Sequence, residues 1–226
     1  MDGTTRPASV QIRIKLEMFR TGLGQSFAEV WARDDLNVAY PAFLGMVYQI
    51  IRASVPLMEA ARLEAERRSG EDAICGPLAA YFAKHIPEER HHDVWTLEDL
   101  GAIGQDTDAI ARAMPQADVA QMVGAQYYWI HHHHPVALLG YISVLEGQPP
   151  SVAHIDRVQA RSGLPDAAFR TYRYHAGVDP HHKDDLDALL DSLPLTQREI
   201  GWIGVSAIQT LQSYKICVDR LLDDLD

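Results

Sequence analysis

Cysteine and positive charge are both scarce in this chain. Two cysteines, Cys75 and Cys217, occur in 226 residues, and they form no Cys-x-x-Cys pair. A disulfide framework is therefore not expected. Instead, we expect both cysteines to be free thiols in a reducing compartment. Asp and Glu outnumber Lys and Arg by 31 to 20, which gives a formal net charge of −11. Nucleic acid is thus not expected as a partner, because phosphate binding requires a basic face.

Long apolar runs are also missing. The segment from Met1 to Gln11 has no apolar stretch of signal-peptide length. No run of about 20 apolar residues, the length needed to span a membrane, occurs anywhere in the sequence. We therefore expect a cytoplasmic protein with no membrane partner. We also expect a single domain over residues 1–226, since this length is short for two domains.

No segment alternates between apolar and polar residues as a half-buried strand does. Instead, helical segments are predicted at about 8–33, 41–68, 72–100, 106–114, 116–147, 151–161, 165–178, 181–192 and 196–222, and in the first of them apolar residues recur with a period near 3.6. Thr196 is the predicted N-cap of the last helix, with Glu199 three residues on. The helix over 116–147 is interrupted by Pro135 and closed by Gly147 and the Pro149–Pro150 pair. The sequence predicts an all-α bundle of seven to nine helices.

Carboxylate and imidazole groups recur on one face of the predicted third helix. His85, Glu89 and His92 are separated by four and three residues, so they share a face. Leu78 and Phe82 continue that face toward the N-terminus, which indicates that it points inward. A buried carboxylate needs a partner or a metal ion. The Glu-x-x-His pair is thus a candidate ligand unit, and a solvated charged turn is the alternative.

Glu88 and His91 have the same spacing and are a rival pair. Their face is mixed, since it carries Tyr81, Lys84 and Trp95. Such a face is typical of the boundary between core and solvent. The periodicity favours Glu89 and His92 and leaves the choice open.

Glu146 ends an apolar run that begins at Leu138. It is either a buried ligand or the exposed last turn of its helix. The four histidines 131–134 point in several directions around the helix, so at most one or two can face the core. None of them is predicted to be a ligand.

A third motif, His175, Asp179 and His182, again has spacings of four and three and occupies one helical face. His181 is a rival to His182 but lies about 100° away around the helix. Gly177 and Pro180 both weaken helices. We therefore expect this helix to be kinked or partly unwound and to become ordered when metal binds.

These motifs together resemble a known family. The strings HIPEERHHDVWTLEDLGAIG from His85, HPVALLGYISVLEG from His134 and HAGVDPHH from His175 are similar to those of the heme-oxygenase-like diiron oxidases and oxygenases. That group is related in fold to heme oxygenase, thiaminase II and pyrroloquinoline quinone synthase. The resemblance implies a heme-oxygenase-like helical bundle.

The family pattern is Glu-x-x-His, a lone Glu, and His-x-x-x-Asp-x-x-His. The resemblance therefore implies two Fe²⁺ per chain with O₂ as co-substrate, and six metal ligands: Glu89, His92, Glu146, His175, Asp179 and His182. It implies one iron on Glu89, His92 and His175. It implies the other on Glu146, Asp179 and His182, with a carboxylate bridging the two. The catalytic role then belongs to the carboxylates Glu89, Glu146 and Asp179.

The implied activity is the O₂-dependent oxidation of a small molecule, amino-acid-derived or a fatty carboxylate, in a biosynthetic pathway. Outcomes in the family include N-oxygenation, oxidative C–C cleavage and rearrangement. Some N-oxygenating members place an extra carboxylate before the Glu-x-x-His. Here no acid lies between Asp72 and Glu88, which argues against that outcome. The resemblance also implies a homodimer.

Two other functions are compatible with the sequence. One is a metal-free relative, of the thiaminase II or quinone synthase kind, that uses acids and histidines for proton transfer. The other is a helical binding protein without catalysis. Arg170 and Tyr174 share a face where a substrate carboxylate would fit, although surface charge beside core aromatics is the favoured interpretation. Phe82, Tyr128 and Tyr141 are the expected lining of the substrate pocket.

Overall fold

A computed structural model describes residues 6–147 and 150–226. In these residues the chain is all-α, as predicted, with eleven α-helices and two short 3₁₀ segments at Pro135–Ala137 and Asp166–Phe169. The helices are α1 (Ala8–Phe19), α2 (Thr21–Ala32), α3 (Leu36–Arg68), α4 (Cys75–Glu89), α5 (His92–Gly101), α6 (Thr107–Arg112), α7 (Ala117–His132), α8 (Leu138–Leu145), α9 (Val152–Ser162), α10 (Arg170–Ser192) and α11 (Gln197–Leu225).

The helices outnumber the predicted seven to nine because three predicted helices are divided. The first becomes α1 and α2, which meet at Arg20, and the third becomes α4 and α5. The fifth is broken before Pro135, which has no N–H to continue the ladder. It becomes α7 and α8, and Gly147 follows α8; Pro149 lies outside the described residues. Conversely, the segments predicted at 165–178 and 181–192 merge into α10.

The two longest helices, α3 and α11, form the centre of the bundle. α3 packs against α4, α5 and α7, while α11 packs against α8, α1, α7 and α2. The predicted capping box begins α11: Thr196 accepts from the backbone, and its own N–H donates to Glu199 Oε2 at 2.8 Å. α3 is long and apolar enough to cross a membrane by length and composition alone. Core helices pass that test too, and α3 places buried residues such as Tyr40, Phe43 and Leu57 in the core.

α8 crosses α11 with the two backbones in contact at Gly140. A Cβ atom built on Gly140 would lie 2.2 Å from the Ile203 carbonyl oxygen and 2.7 Å from the Ala207 nitrogen. Only glycine allows this approach. The crossing fixes the height of α8 in the bundle, and with it the position of Glu146 at the helix end.

α4 and α5 are separated by a left-handed residue. His91 has φ 76°, the sole positive φ among the non-glycine residues that the structure describes. The prediction that His85, Glu89 and His92 line one face of a continuous helix is therefore wrong. Glu89 is the last residue of α4 and His92 the first of α5. The turn between them still directs both side chains inward, and it leaves His91 exposed at the surface.

We expect Gly140→Ala to lower the free energy of unfolding by about 3 kcal/mol, since the added methyl group has backbone atoms on two sides. Urea denaturation measures the loss. Gly124→Ala is the matched control: Gly124 lies inside α7 with no atom near its Cβ position, so that change should stabilise the protein by up to about 1 kcal/mol. Equal effects of the two substitutions would contradict the close crossing.

We expect His91→Gly to raise the free energy of unfolding by about 0.5–1 kcal/mol, because glycine adopts positive φ without the steric penalty of a Cβ atom. His91→Val should lower it, since a β-branched residue tolerates this conformation least. Thermal or urea unfolding of the three proteins gives the order. A destabilised glycine variant would show that the His91 side chain, rather than its backbone, supports the turn.

Candidate metal centre

Four helices bring the three sequence motifs together. The end of α4 contributes Glu89, the start of α5 contributes His92, and the C-cap of α8 contributes Glu146. The middle of α10 contributes His175, Asp179 and His182. All six lie in contact within one cluster inside the bundle.

Glu89, His92 and His175 form the first compact group. One ligand atom from each lies within 4.8 Å of the others. The His92 Nδ1 atom is 2.8 Å from Glu89 Oε2. The imidazole rings of His92 and His175 meet edge to face with centroids 4.7 Å apart. These three residues are the set expected to bind the first iron.

The second compact group consists of Glu89, Glu146, His182 and a residue outside the predicted ligand set, His85. His182 Nδ1 lies 3.4 Å from Glu89 Oε1 and 3.8 Å from Glu146 Oε2. His85 Nε2 lies 3.0 Å from Glu146 Oε1. Glu89 belongs to both groups, so it occupies the position that a bridging carboxylate would need. In the sequence, the signal for His85 was its position four residues before Glu89, on the same helical face.

Asp179 lies beside both groups. Its Oδ1 atom is 2.9 Å from His175 Nδ1 and 3.9 Å from His182 Nδ1. The sequence expectation paired Asp179 with Glu146 and His182. The structure places the Asp179 carboxylate nearer to His175, at the junction of the two groups.

The rival pair Glu88 and His91 does not enter the cluster as a pair. His91 is exposed. Glu88 is partly exposed and faces the outer nitrogen atoms of two histidines: its Oε2 lies 3.3 Å from His85 Nδ1 and 3.7 Å from His182 Nε2. The geometry therefore points Glu89 and His92 inward.

α10 is a continuous helix from Arg170 to Ser192, with Pro180 inside it. The expectation of a partly unwound helix is not met. Pro180 removes only one backbone donor. The start of the helix is held from outside, since the buried Asp99 of α5 accepts a hydrogen bond from the Thr171 N–H at 2.8 Å. Whether metal orders this helix further stays a prediction.

Many ligand atoms in the cluster are buried without a hydrogen-bond partner. Five of the eleven such side-chain atoms among the described residues belong to it: Glu89 Oε1, His92 Nε2, Glu146 Oε2, His175 Nε2 and His182 Nδ1. A buried polar atom left unpaired destabilises a protein by about 1–3 kcal/mol. Five such atoms on the residues of one cluster indicate a site built for a further partner, and carboxylate oxygen with imidazole nitrogen is a donor set that suits iron.

The charges in the cluster are strongly coupled. Burial lowers the pKa of His85, but the hydrogen bond and the charge of Glu146 outweigh it and raise that pKa to about 9. Burial likewise opposes the positive charge on His175, and Asp179 more than offsets it, so the pKa of His175 is raised. Burial raises the pKa of Glu89, yet the His92 hydrogen bond leaves it below its ordinary value. Carboxylates and imidazoles thus compensate one another in the core.

A cavity of about 370 Å³ opens onto the cluster. Its lining includes four cluster residues: Glu89, Glu146, His175 and Asp179. The rest of the lining is mostly apolar or aromatic, and Arg20 is its one Lys or Arg side chain in the described part of the chain. Arg20 already pairs with Glu17 at 2.7 Å. The cavity therefore offers a mostly apolar volume whose lining also includes carboxylates and an imidazole of the cluster.

Of the expected pocket residues, Tyr141 lines the cavity, and its hydroxyl group is buried. Phe82 is buried in the core elsewhere, and Tyr128 is exposed. Arg170 binds Glu98 at 2.6 Å and lies over the ring of Trp95. Arg170 is therefore a surface charge beside an aromatic residue, which is the interpretation that the sequence favoured.

A third group, Asp72, Cys75 and His134, lies apart from the cavity. The Val136 N–H donates to His134 Nδ1 at 3.1 Å, and His134 Nε2 faces Asp72 Oδ2 at 2.9 Å. The neutral ring must therefore carry its proton on Nε2, where a metal would otherwise bind. The pattern indicates a hydrogen-bonded pair rather than a metal site. The other members of the histidine run, 131–133, are exposed.

Solved structures show the same fold in proteins with low sequence identity. A domain of unknown function with a heme oxygenase-like fold, from Shewanella denitrificans, has a TM-score of 0.77 at 18% identity and covers 94% of this chain and 90% of its own. A TenA homolog from Pseudomonas syringae pv. tomato has a TM-score of 0.66 at 10% identity, with 99% and 96% covered. A heme oxygenase from Leptospira interrogans has a TM-score of 0.54 at 16% identity, with 91% and 98% covered.

A comparison with curated proteins gave no match. A sequence profile described as "Iron-containing redox enzyme" matches residues 85–202, more than half of the chain. That span begins at His85 and includes every residue of the cluster. The chain therefore has a heme-oxygenase-like fold and belongs to the iron-containing redox enzyme family.

Proposed function

We propose that this protein is a non-heme diiron enzyme that binds two Fe²⁺ per chain and uses O₂ to oxidise a small molecule. The observation that carries the proposal is the convergence of unpaired, buried carboxylate and imidazole atoms into two groups that share Glu89. Family membership supplies iron and redox chemistry. The number of ions is inferred from the two groups, and the use of O₂ from the resemblance of the three motifs to the diiron oxidases and oxygenases.

The distances between ligand atoms suit metal ions. Two ligand atoms about 2.1 Å from one ion lie about 3.0 Å apart when adjacent and about 4.2 Å apart when opposite. The unpaired His182 Nδ1 atom lies 3.4 Å from Glu89 Oε1 and 3.8 Å from Glu146 Oε2, and both separations are inside that range. Glu89, His92 and His175 would hold one ion, and Glu146 and His182 the other, with Glu89 between them and Asp179 beside both.

Two ferrous ions bound here would supply two of the electrons that reduce O₂, and oxidation of the substrate would supply the others. The chain itself contributes three carboxylates, Glu89, Glu146 and Asp179, which leave a charge of about +1 against two Fe²⁺ by simple counting. A centre of that charge favours an anionic group of the substrate. The apolar walls exclude water from the reacting atoms and strengthen electrostatic interactions there.

The cavity favours a substrate with an apolar body. Its walls include Leu44, Val47, Ile50, Ile51 and Leu57. A volume of about 370 Å³ holds about a dozen water-sized groups. A free amino acid would leave its charges without partners along these walls, so a fatty carboxylate suits the cavity better. Its carboxylate would reach the metal centre and its chain would lie against the apolar side chains.

The metal-free alternative is supported by the fold of the TenA homolog. A thiaminase-like reaction would require a nucleophilic thiol in the cavity. Cys75 and Cys217 are both buried and neither lines the cavity. Burial raises the pKa of each thiol to about 11, and a thiol with such a pKa is a poor nucleophile. The two thiols therefore do not suit a thiaminase-like reaction, and the unpaired ligand atoms of the cluster favour the metal-dependent one.

Anaerobic titration with Fe²⁺ should give two bound ions per chain, and exposure to O₂ should then consume O₂ in proportion to the iron. Glu89→Gln should lower the affinity for both ions at least 100-fold, because this residue belongs to both groups. Glu98→Gln, at an exposed position of α5, should bind two ions like the wild type. Folded wild-type protein that binds no Fe²⁺ would refute the proposal and favour the metal-free reaction.

Dodecanoate should perturb the visible spectrum of the Co²⁺-loaded protein at concentrations at least 100-fold below those needed for acetate, which has the same carboxylate without the chain. Ile51→Trp, which fills the cavity, should abolish that preference while two ions still bind. Val38→Trp is the control, since Val38 lies on the same helix at an exposed position. Equal responses to dodecanoate and acetate in wild-type protein would contradict the assignment of an apolar substrate.

A further inference from the structure

We propose that His85 is a seventh protein ligand, which binds through Nε2 to the same metal ion as Glu146 and His182. The inference rests on the proposed diiron function and extends it. This histidine is not among the six ligands expected from the motif pattern. If it binds, the second ion has two imidazole ligands, as the first does with His92 and His175.

The position of His85 is compatible with direct coordination. It lies one turn before Glu89 on α4, so the two side chains share a face. The side chain is buried, with 2% exposed. His85 Nε2 is 3.0 Å from Glu146 Oε1, the separation of adjacent ligands on one ion. One ligand atom from each of His85, Glu89, Glu146 and His182 lies within 4.8 Å of the others, and this proximity is the reason to assign all four to one ion.

The outer nitrogen of His85 is supported as metal-binding histidines usually are. Histidine ligands commonly donate their second N–H to a carboxylate, which fixes the tautomer and the ring orientation. Glu88 Oε2 lies 3.3 Å from His85 Nδ1 and 3.7 Å from His182 Nε2. One carboxylate therefore faces the outer nitrogens of both imidazoles, and the inner nitrogens, His85 Nε2 and His182 Nδ1, converge on Glu146.

The ring of His85 is held on its other sides by aromatic contacts. Tyr81 stacks on it with centroids 5.3 Å apart and an interplanar angle of 16°. The His182 ring meets it edge to face at 4.6 Å. These contacts fix the ring plane before any ion binds. They make His85 a preorganised donor rather than a side chain that moves into the site.

His85 also lies on the side of the centre away from the substrate. The cavity is lined by Glu89, Glu146, His175 and Asp179, whereas His85 and His182 are not part of its lining. Coordination by His85 would thus occupy a position that the cavity does not reach. The positions that face the cavity, beside Glu89, Glu146, His175 and Asp179, would stay available for O₂ and substrate.

The test counts coordinated histidines in the Co²⁺-loaded protein by proton NMR. Each histidine bound to Co²⁺ gives one strongly shifted, exchangeable N–H signal. The wild type should show four such signals, from His85, His92, His175 and His182. His85→Gln should show three and should bind one of its two ions at least 10-fold more weakly. Three signals in the wild type, with none lost in His85→Gln, would overturn the proposal.

Two further variants separate coordination from folding. Glu88→Gln keeps His85, so it should retain all four signals, with shifts confined to the two rings that face Glu88. His181→Gln changes an exposed neighbour of His182 and should leave the spectrum unchanged. If His85→Gln does not fold, the count in the wild type and in Glu88→Gln decides alone. Folded wild-type protein that binds no Co²⁺ and no Fe²⁺ would instead refute the proposed diiron function.

Discussion

Three carboxylates and four imidazoles lie together inside an apolar helical bundle, and this burial of charge is the constraint on which the rest of the structure depends. Glu89, His92 and Asp179 are each less than 10% exposed. Carboxylates so close together repel one another and lose hydration, and both effects are unfavourable in a core. Pairing with imidazoles offsets part of this penalty. A bound metal ion would remove most of the rest, because it supplies the partner that the unpaired ligand atoms lack.

The framework around the cluster positions its members by means that differ from one element to the next. α8 reaches its place because Gly140 lets it contact the backbone of α11. α5 is turned against α4 by the left-handed His91. α10 is fixed at its start by Asp99, which accepts from the Thr171 N–H. Each device lies outside the cluster, and each sets the position of one ligand-bearing segment.

The same fold occurs in a TenA homolog and in a heme oxygenase at 10% and 16% identity. At such identity the likeness shows architecture alone, since one fold can hold many chemistries. The chemistry of this chain depends on the lining of its core cavity, which combines cluster carboxylates and His175 with aliphatic walls and, among the described residues, includes no thiol. Those residues, rather than the helices that carry them, are the basis for proposing a diiron centre and an apolar substrate.

The sequence alone determined the helical class and the candidate ligands. Helical periodicity and the spacings of three or four residues are local, so they can be read without knowledge of the fold. The tertiary structure decided what depends on distant contacts. It placed Glu89 in both groups and brought His85 into the second group. It also placed Asp179 nearer to His175 than expected, and Arg170 at the surface. It also broke the third helix at His91. A helical face says which side chains point the same way, but only packing between helices decides which of them meet.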